Sequence, residues 1–596
     1  MTPSTRSAHA FHIPVMGTGF TIDSPLHVAR YGISSVISLV DDVLIEQMRR
    51  FHSERLGRPF EPIGSRDDDA RARRITAYLN MIHEELAKQV ELLQSSPFEP
   101  GSEITRYYEL LPDGPLKASY HKMLSTKDAT RKAELEAALR KSAVPGDIDV
   151  NIMTKLDRRP SHDGVPVEQK FSDAMAALRG FALSDVSSSI VFSAGLNSHL
   201  YGYLAEFPDF LPDAEGRSKK TVTLKVSDYR SALIQGRFLA KRGIWVSEFR
   251  VESGLNCGGH AFATKGTLIG PILEEFKSKC GDLTDRLHGD YNKGLATRSL
   301  PQLDEAREML ITVQGGIGTS AEHNAMLQHY RMDRTGWATP FLLVPESTCV
   351  DDVHLDRLCA ASDDDVYLSL GSPMGIPFWN LKTSASEVSR RERIASNKPG
   401  SGCPKGFLRL SDEFPGDALC RASRDYQALK LAAIELDDVS DAAKAILRED
   451  ALAKSCICHD LGGGATLKHG IVSRAYTAIC PSSNIAHFNR LASLEEMIGH
   501  IYGRISLLAD GERPHMFIRE LGLYVDYLRN ELERFSVGIR SRKLSYYAEF
   551  KENLLHGIQY YQEQFLCFVS EHQDHFTRDL QALKEQLDGL CVEASA

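Results

Sequence analysis

The chain has no run of about 18 uninterrupted apolar residues, the length that a membrane-spanning helix needs. Residues 1–12 lack the basic segment followed by an apolar one that directs secretion. These two absences lead to the expectation of a cytoplasmic protein that engages no membrane. Positive charge is not in surplus either: 70 Lys and Arg stand against 80 Asp and Glu, a net charge of −10. Binding along a phosphate backbone needs a basic surface, so no nucleic-acid partner is expected. Internal repeats and low-complexity tracts are missing. The eleven cysteines are odd in number and follow no secretory signal, which reads as reduced thiols or metal ligands and not as a disulfide framework.

What is present is an ordinary globular composition, 42% hydrophobic and 25% charged, over 596 residues. That length accommodates a barrel of roughly 250 residues with insertions or appended modules. Short apolar or β-branched runs recur at residues 11–20, 33–40, 148–154, 189–193, 221–226, 243–251, 309–313 and 335–340. Helix-favouring stretches separate them, at 25–31, 171–181, 229–242, 267–279 and 321–330 among others. Eight strands alternating with helices predict an α/β fold, a (β/α)8 TIM barrel over residues 1–345. Residues 44–147 interrupt it with charged, helix-favouring sequence, a helical insertion. A second region, 346–485, is rich in loops, Gly, Pro and Cys, with helices near 426–436 and 442–452. Residues 486–596 read as a C-terminal helical module, including helices near 521–535, 546–565 and 576–590.

In such barrels the site lies in the loops that follow the strands. Here those loops carry Met16-Gly17-Thr18-Gly19, Thr154-Lys155, Ser193-Ala194-Gly195-Leu196-Asn197, Lys225, Asn256-Cys257-Gly258-Gly259-His260, Gln314 to Gly318, and Gly336 to Thr339. The last two follow the seventh and eighth strands, where backbone amides commonly hold a phosphate and a Cβ would obstruct the approach. One glycine turn alone is more simply a tight turn; two in these consecutive loops favour a phosphate. His260 titrates near neutrality and suits proton transfer, against the blander reading of a loop-bonding histidine. Cys257 is either a reactive thiol or a small buried residue.

The ordered set Ile13-Pro14-Val15-Met16-Gly17-Thr18-Gly19, Val150-Asn151-Ile152, Gly258-Gly259-His260, Val313-Gln314-Gly315-Gly316-Ile317 and Gly336-Trp337-Ala338-Thr339 resembles nitronate monooxygenases and related FMN barrels. That group includes enoyl reductases of polyunsaturated fatty acid and polyketide synthesis. The resemblance covers about residues 11–345, outside the insertion. It implies an FMN-dependent oxidoreductase in which Met16, Gly17 and Thr18 lie against the flavin, and Asn151 and Lys155 flank its ring or ribityl chain. It further implies that Lys225 reaches flavin or substrate, and that Gly315, Gly316, Gly336 and Thr339 hold the phosphate. His260 matches the family's acid–base histidine, with Lys155 and Cys257 as further catalytic candidates. Ala261-Phe262 departs from the basic or small pair that usually follows it. The substrate implied is a small or acyl-type molecule. The alternative within the same chemistry is an enoyl-type reductase drawing on NAD(P)H. The alternative of another class is a non-catalytic, metal-bearing scaffold, and the C-terminal helices offer a face for a second copy or a partner protein.

Cys403, Cys420, Cys456, Cys458 and Cys480 crowd into one stretch, several in turn-like contexts such as Cys403-Pro404, Cys456-Ile457-Cys458-His459 and Cys480-Pro481. Thiolates hold iron–sulfur clusters, so these five are candidate ligands of a [4Fe–4S] cluster serving a flavin as electron relay; the alternative is a scatter of buried thiols. Spacing does not follow a zinc ribbon. The acidic runs at 67–69 and 363–365 read as solvated loops or helix starts, and Tyr546-Tyr547 and Tyr560-Tyr561 as packing residues. Gly462-Gly463-Gly464 lacks the lysine of a nucleotide-binding loop.

Overall fold

The structure is a computed structural model that describes residues 8–162, 165–193, 195–256, 258, 264–509 and 512–592. Eight strands form the barrel: β1 (Phe11–Ile13), β2 (Ser34–Ser38), β3 (Ile148–Ile152), β4 (Ser189–Phe192), β5 (Thr221–Val226), β6 (Val246–Glu252), β7 (Leu310–Gln314) and β8 (Arg334–Gly336). Every neighbouring pair is parallel and follows chain order, and β8 returns to β1 with His12 beside Gly336. Closure leaves no strand edge unpaired. Each of the eight strands coincides with a run expected from the sequence, three of them overrunning it by one residue. The chain is a parallel (β/α)8 barrel.

Alternation along the strands decides what faces inward. On β5, Val222, Leu224 and Val226 are buried, and on β6 Phe249 meets Gly236 of the helix Tyr229–Ala240. The opposite parity, Thr223 and Lys225 with Glu248, Arg250 and Glu252, therefore points into the barrel. Its middle layer is charged. Arg250 Nε donates to Glu248 Oε1 at 2.7 Å, the Thr312 hydroxyl donates to the same carboxylate, and the Ser189 amide donates to Asp149 Oδ1 at 3.1 Å. Burial pulls Glu248 upward, but the adjacent Arg250 guanidinium overrides it and holds the carboxyl at about 2. Asp149 goes the other way: burial and the Asp147 charge lift it to about 7. A buried charge is tolerable where it is paired, and Arg250 is paired with Glu248.

The insertion is helical as expected, built from Asp42–Arg55, Ala70–Ser95, Glu103–Leu110, Pro115–Ser125 and Ala129–Ser142. The first two of these pack together, and the second lies along the barrel helix Asp173–Ala182. The helix expected at 267–279 runs on as Ile269–Thr297. Gly281 and Gly289 sit on its open side with no outside atom near them, and the helix runs through both. Residues 346–485 are less irregular than expected. An antiparallel pair, β9 (Val366–Ser369) and β10 (Phe378–Leu381), and the helices Asp352–Cys359 and Ala385–Ala395 join the two foreseen helices. The C-terminal helices Met516–Ser536, Leu544–Gln564 and Gln573–Asp588 share one continuous apolar core with the barrel, with Tyr547 and Tyr561 fully buried in it. Among the described residues no helix is long and apolar enough to cross a membrane.

Candidate functional site at the C-terminal ends of the strands

Inward positions at the ends of β3, β5, β6 and β7 build a polar rim. Lys225 Nζ lies 3.3 Å from Glu252 Oε2, and Gln314 Nε2 donates to Glu252 Oε1 at 2.6 Å. In register, Glu252 stands beside Gln314 and Gln314 beside Gly336, so these three form one row across β6 to β8, and Lys225, in register with Arg250, reaches up to Glu252 from β5. A Cβ at Gly336 would press on Gln314, Pro14 and His12, which explains the glycine. Asn151 continues the rim on β3. Three buried atoms here have no hydrogen-bond partner: Asn151 Oδ1, Gln314 Oε1 and Thr18 Oγ1. The ring nitrogens of His12, in register with Gly336, make no well-aligned hydrogen bond, and burial holds the imidazole neutral.

The loops after β1, β3 and β4 are fixed locally. Met16 is buried, Gly17 adopts a left-handed φ of +54° against the Phe20 ring, and Leu461 and Gly462 close over Gly17 and Gly19. Thr154 N–H donates to Ser193 Oγ at 2.9 Å, tying the β3 loop to β4. Lys155 runs past Gly195 with its tip exposed, while the protein around the ammonium lowers its pKa by desolvation.

The loop after β7 needs its glycines. Gly315 (φ +103°) packs on the backbone of Asn256 and Gly316 (φ +81°) on Leu255. The following helix, Ser320–Gln328, opens with a capping box in which Glu322 Oε2 accepts from the amides of Gly318 (2.8 Å) and Thr319 (3.2 Å). The Gly318 and Thr319 amides before that helix are thus already taken. Arg513 Nη1 pairs with Glu322 Oε1 at 2.7 Å, Arg513 Nη2 donates to the Gly316 carbonyl at 2.7 Å, and Asn484 Nδ2 donates to the Gly316 and Ile317 carbonyls. After β8, Thr339 Oγ1 accepts from the Ser482 amide at 3.0 Å and lies 2.9 Å from its hydroxyl. Residues 480–484 and Arg513 therefore cover both phosphate-type loops.

Gly258 (φ +104°) faces the carbonyl oxygen of Cys480 directly. Cys257 and His260, the two sequence candidates beside it, lie outside the described residues, as does Gly259. Glu252, Gln314 as a rim residue, Ser482, Asn484 and Arg513 escaped the sequence reading. Strand parity from Arg250 onward would have found Glu252, whereas nothing near positions 480–513 points to the barrel.

The cysteine-rich segment also sits on this face. Lys405 forms an ion pair with Asp41 at the end of β2, Arg158 Nη1 donates to the Gly406 carbonyl, and Phe407 closes a small apolar pocket with Leu39, Val40 and Ile152. Four of the five candidate thiols gather there, all buried and none in a disulfide. Cys420 hydrogen-bonds Cys403 and, with Arg409 nearby, holds its thiol down at about 6; Cys458 lowers Cys456 in the same way. The two pairs lie close enough for their charges to interact. No three of these sulfurs stand mutually within 4.8 Å. The Cys480 carbonyl belongs to the β6 loop contact.

Neither a protein-family model nor a curated protein sequence matches the chain. Among solved structures, FabK from Thermotoga maritima aligns at 12% identity over 88% of this chain and 96% of its own, with a TM-score of 0.36. The enoyl reductase domain of MlnA from the macrolactin biosynthesis cluster of Bacillus amyloliquefaciens aligns at 15% identity over 64% of this chain and 86% of its own, with a TM-score of 0.35. Superpositions this loose carry no argument about chemistry, and the barrel rests on its own strand order.

Proposed function

We propose that this chain is an FMN-dependent oxidoreductase of the nitronate monooxygenase-like class, with its site at the rim just described. The observation that carries the reading is the set of buried, unpartnered atoms at Thr18, Asn151 and Gln314. Each such atom costs about 1–3 kcal/mol if it stays unpaired, and polar groups converging at the C-terminal face of a barrel are where such folds hold ligands. These residues fit a flavin ring, which presents both donors and acceptors along one edge. With Gly318 and Thr319 engaged by Glu322, the phosphate falls to the amides of Gly315 and Gly316 and to the Thr339 and Ser482 hydroxyls. Met16 and Gly17 line the β1 side. Lys225, tethered to Glu252, and Lys155 supply positive charge.

Bound FMN supplies the hydride and electron chemistry. The chain's own part is to orient the substrate, exclude water beneath residues 480–484, and hold or return a proton at the imidazole of His260. Cys403, Cys420, Cys456 and Cys458 are the four gathered thiols that would hold a [4Fe–4S] cluster, thiolates being the usual ligands of such centres.

The purified protein is expected to be yellow, with a band at about 450 nm that NAD(P)H or dithionite bleaches, and to release FMN on denaturation. A colourless protein that takes up no added FMN overturns the proposal. Serine at Cys403, Cys420, Cys456 or Cys458 should lower bound iron while Cys480→Ser leaves it unchanged; equal iron in all five removes the cluster.

A further inference from the structure

Outside the barrel, four distant parts of the chain bring one carboxylate, one thiol and three imidazoles together. Asp23 precedes the helix Ser24–Val28, His52 lies in the last turn of Asp42–Arg55, Cys349 sits in the loop before Asp352–Cys359, and His469 follows Gly463–Lys468. The Cys349 thiol lies 2.8 Å from Asp23 Oδ1 and 3.4 Å from His469 Nε2, which is itself 3.1 Å from Asp23 Oδ2. Among the described residues this is the one group of three such ligand atoms mutually within 4.8 Å. Two further imidazoles flank the carboxylate, His52 Nε2 at 3.3 Å and His27 Nε2 at 3.4 Å. Asp23, Cys349 and His52 are buried, and His52 Nε2 makes no well-aligned hydrogen bond there.

A hydrogen-bonded cluster could fill this space without a ligand, yet its make-up is unusual for that purpose. Among the described residues no lysine or arginine pairs with Asp23; the side chains within ion-pair distance of it are three histidines. One carboxylate, one thiol and imidazoles are the donors that zinc takes. Bonds of about 2.3 Å to sulfur and about 2.0–2.2 Å to nitrogen and oxygen set tetrahedral ligand atoms roughly 3.4–3.6 Å apart, so the observed 2.8–3.4 Å needs only a modest spreading. Magnesium and calcium prefer an all-oxygen shell and are excluded by the donor set. A divalent ion would also balance the carboxylate and the thiolate, leaving a neutral complex in a buried place.

We propose that Asp23, Cys349 and His469 bind one divalent transition-metal ion, zinc in kind, as three protein ligands. The ion ties the β1 loop region to the chain after the barrel. Its ligand His469 directly follows the helix whose start closes over Gly17 and Gly19. This site is separate from the thiols on the barrel rim and does not depend on the flavin reading.

The test uses the full chain, stripped with a chelator and titrated with Co²⁺ alone, then with Zn²⁺. Wild-type protein is expected to take up one more equivalent of Co²⁺ than Cys349→Ser, with a thiolate-to-cobalt band that the variant loses. His469→Ala, whose side chain is the most exposed of the three at 10%, should lose the same equivalent. Chelation should lower the Tm of the wild type and Zn²⁺ should restore it. Equal cobalt uptake in folded wild type and variants overturns the proposal. If both variants fail to fold, a wild-type Tm indifferent to chelator and zinc overturns it.

Discussion

Asp149 is held protonated by its surroundings up to a pH near 7, because burial and the neighbouring Asp147 both disfavour its charge. Its folded pKa lies above the unfolded value of about 3.9. The folded state therefore binds the proton more tightly, and the contribution is complete below the unfolded pKa and is lost as pH rises through 7. Asp149→Asn keeps an acceptor for the Ser189 amide and removes that loss. It is expected to raise Tm by roughly 2 °C or more at pH 8 and to change it little at pH 4; a larger gain at the acidic end would sink the assignment. His260 belongs to the same scale. A positioned acid or base contributes about 10²–10⁴-fold, so His260→Ala should retain FMN while turnover falls by at least about 100-fold. Unchanged turnover removes the histidine from the mechanism.

Two contacts between elements can be tested in the same spirit. Gly258→Ala would force a left-handed φ on alanine and drive its Cβ into the Cys480 carbonyl. A loss of about 2 kcal/mol or more and a weakened affinity for FMN are expected, read from urea unfolding and flavin titration. Glu520 of the helix Met516–Ser536 accepts from Ser253 Oγ and the Gly254 amide through one oxygen and from the Ile269 amide through the other. Glu520→Ala strands those donors and should cost about 2–4 kcal/mol, with turnover falling because the chain between Ser253 and Ile269 contains His260. The strands were legible because period-two alternation and glycine-rich ends are local signals. Ser482, Asn484 and Arg513 were not, since they meet the β7 and β8 loops across 143 to 197 residues of chain. The pair β9 and β10 was missed for a different reason: each strand is four residues long and neither alternates, β10 being buried throughout and β9 only at its two ends.

At the scale of the molecule, the barrel and its appendages behave as one packing unit. Phe517, Tyr561 and Phe568 stack among themselves and on Tyr330, which follows a barrel helix. Expressing residues 8–345 alone would expose that surface. The shortened protein is expected to aggregate or to lack a cooperative thermal transition, and a sharp transition matching that of the full chain would show the barrel to be autonomous. Composition and alternation conveyed the architecture of the first half. They carried no sign that residues 403–484 fold back over the barrel mouth, because that placement is set by single long-range pairs such as Lys405 with Asp41.

His9, just before β1, contacts the Tyr502 hydroxyl at 2.9 Å across 493 residues. During synthesis β1 leaves the ribosome first, but its neighbour β8 and its cover at Tyr502 arrive hundreds of residues later. Until then one flank of the nascent sheet stays open, and contacts of such sequence separation form slowly. Pulsed hydrogen exchange during refolding should find the amides of residues 11–13 among the last barrel amides to be protected, and the refolding yield should fall as protein concentration rises.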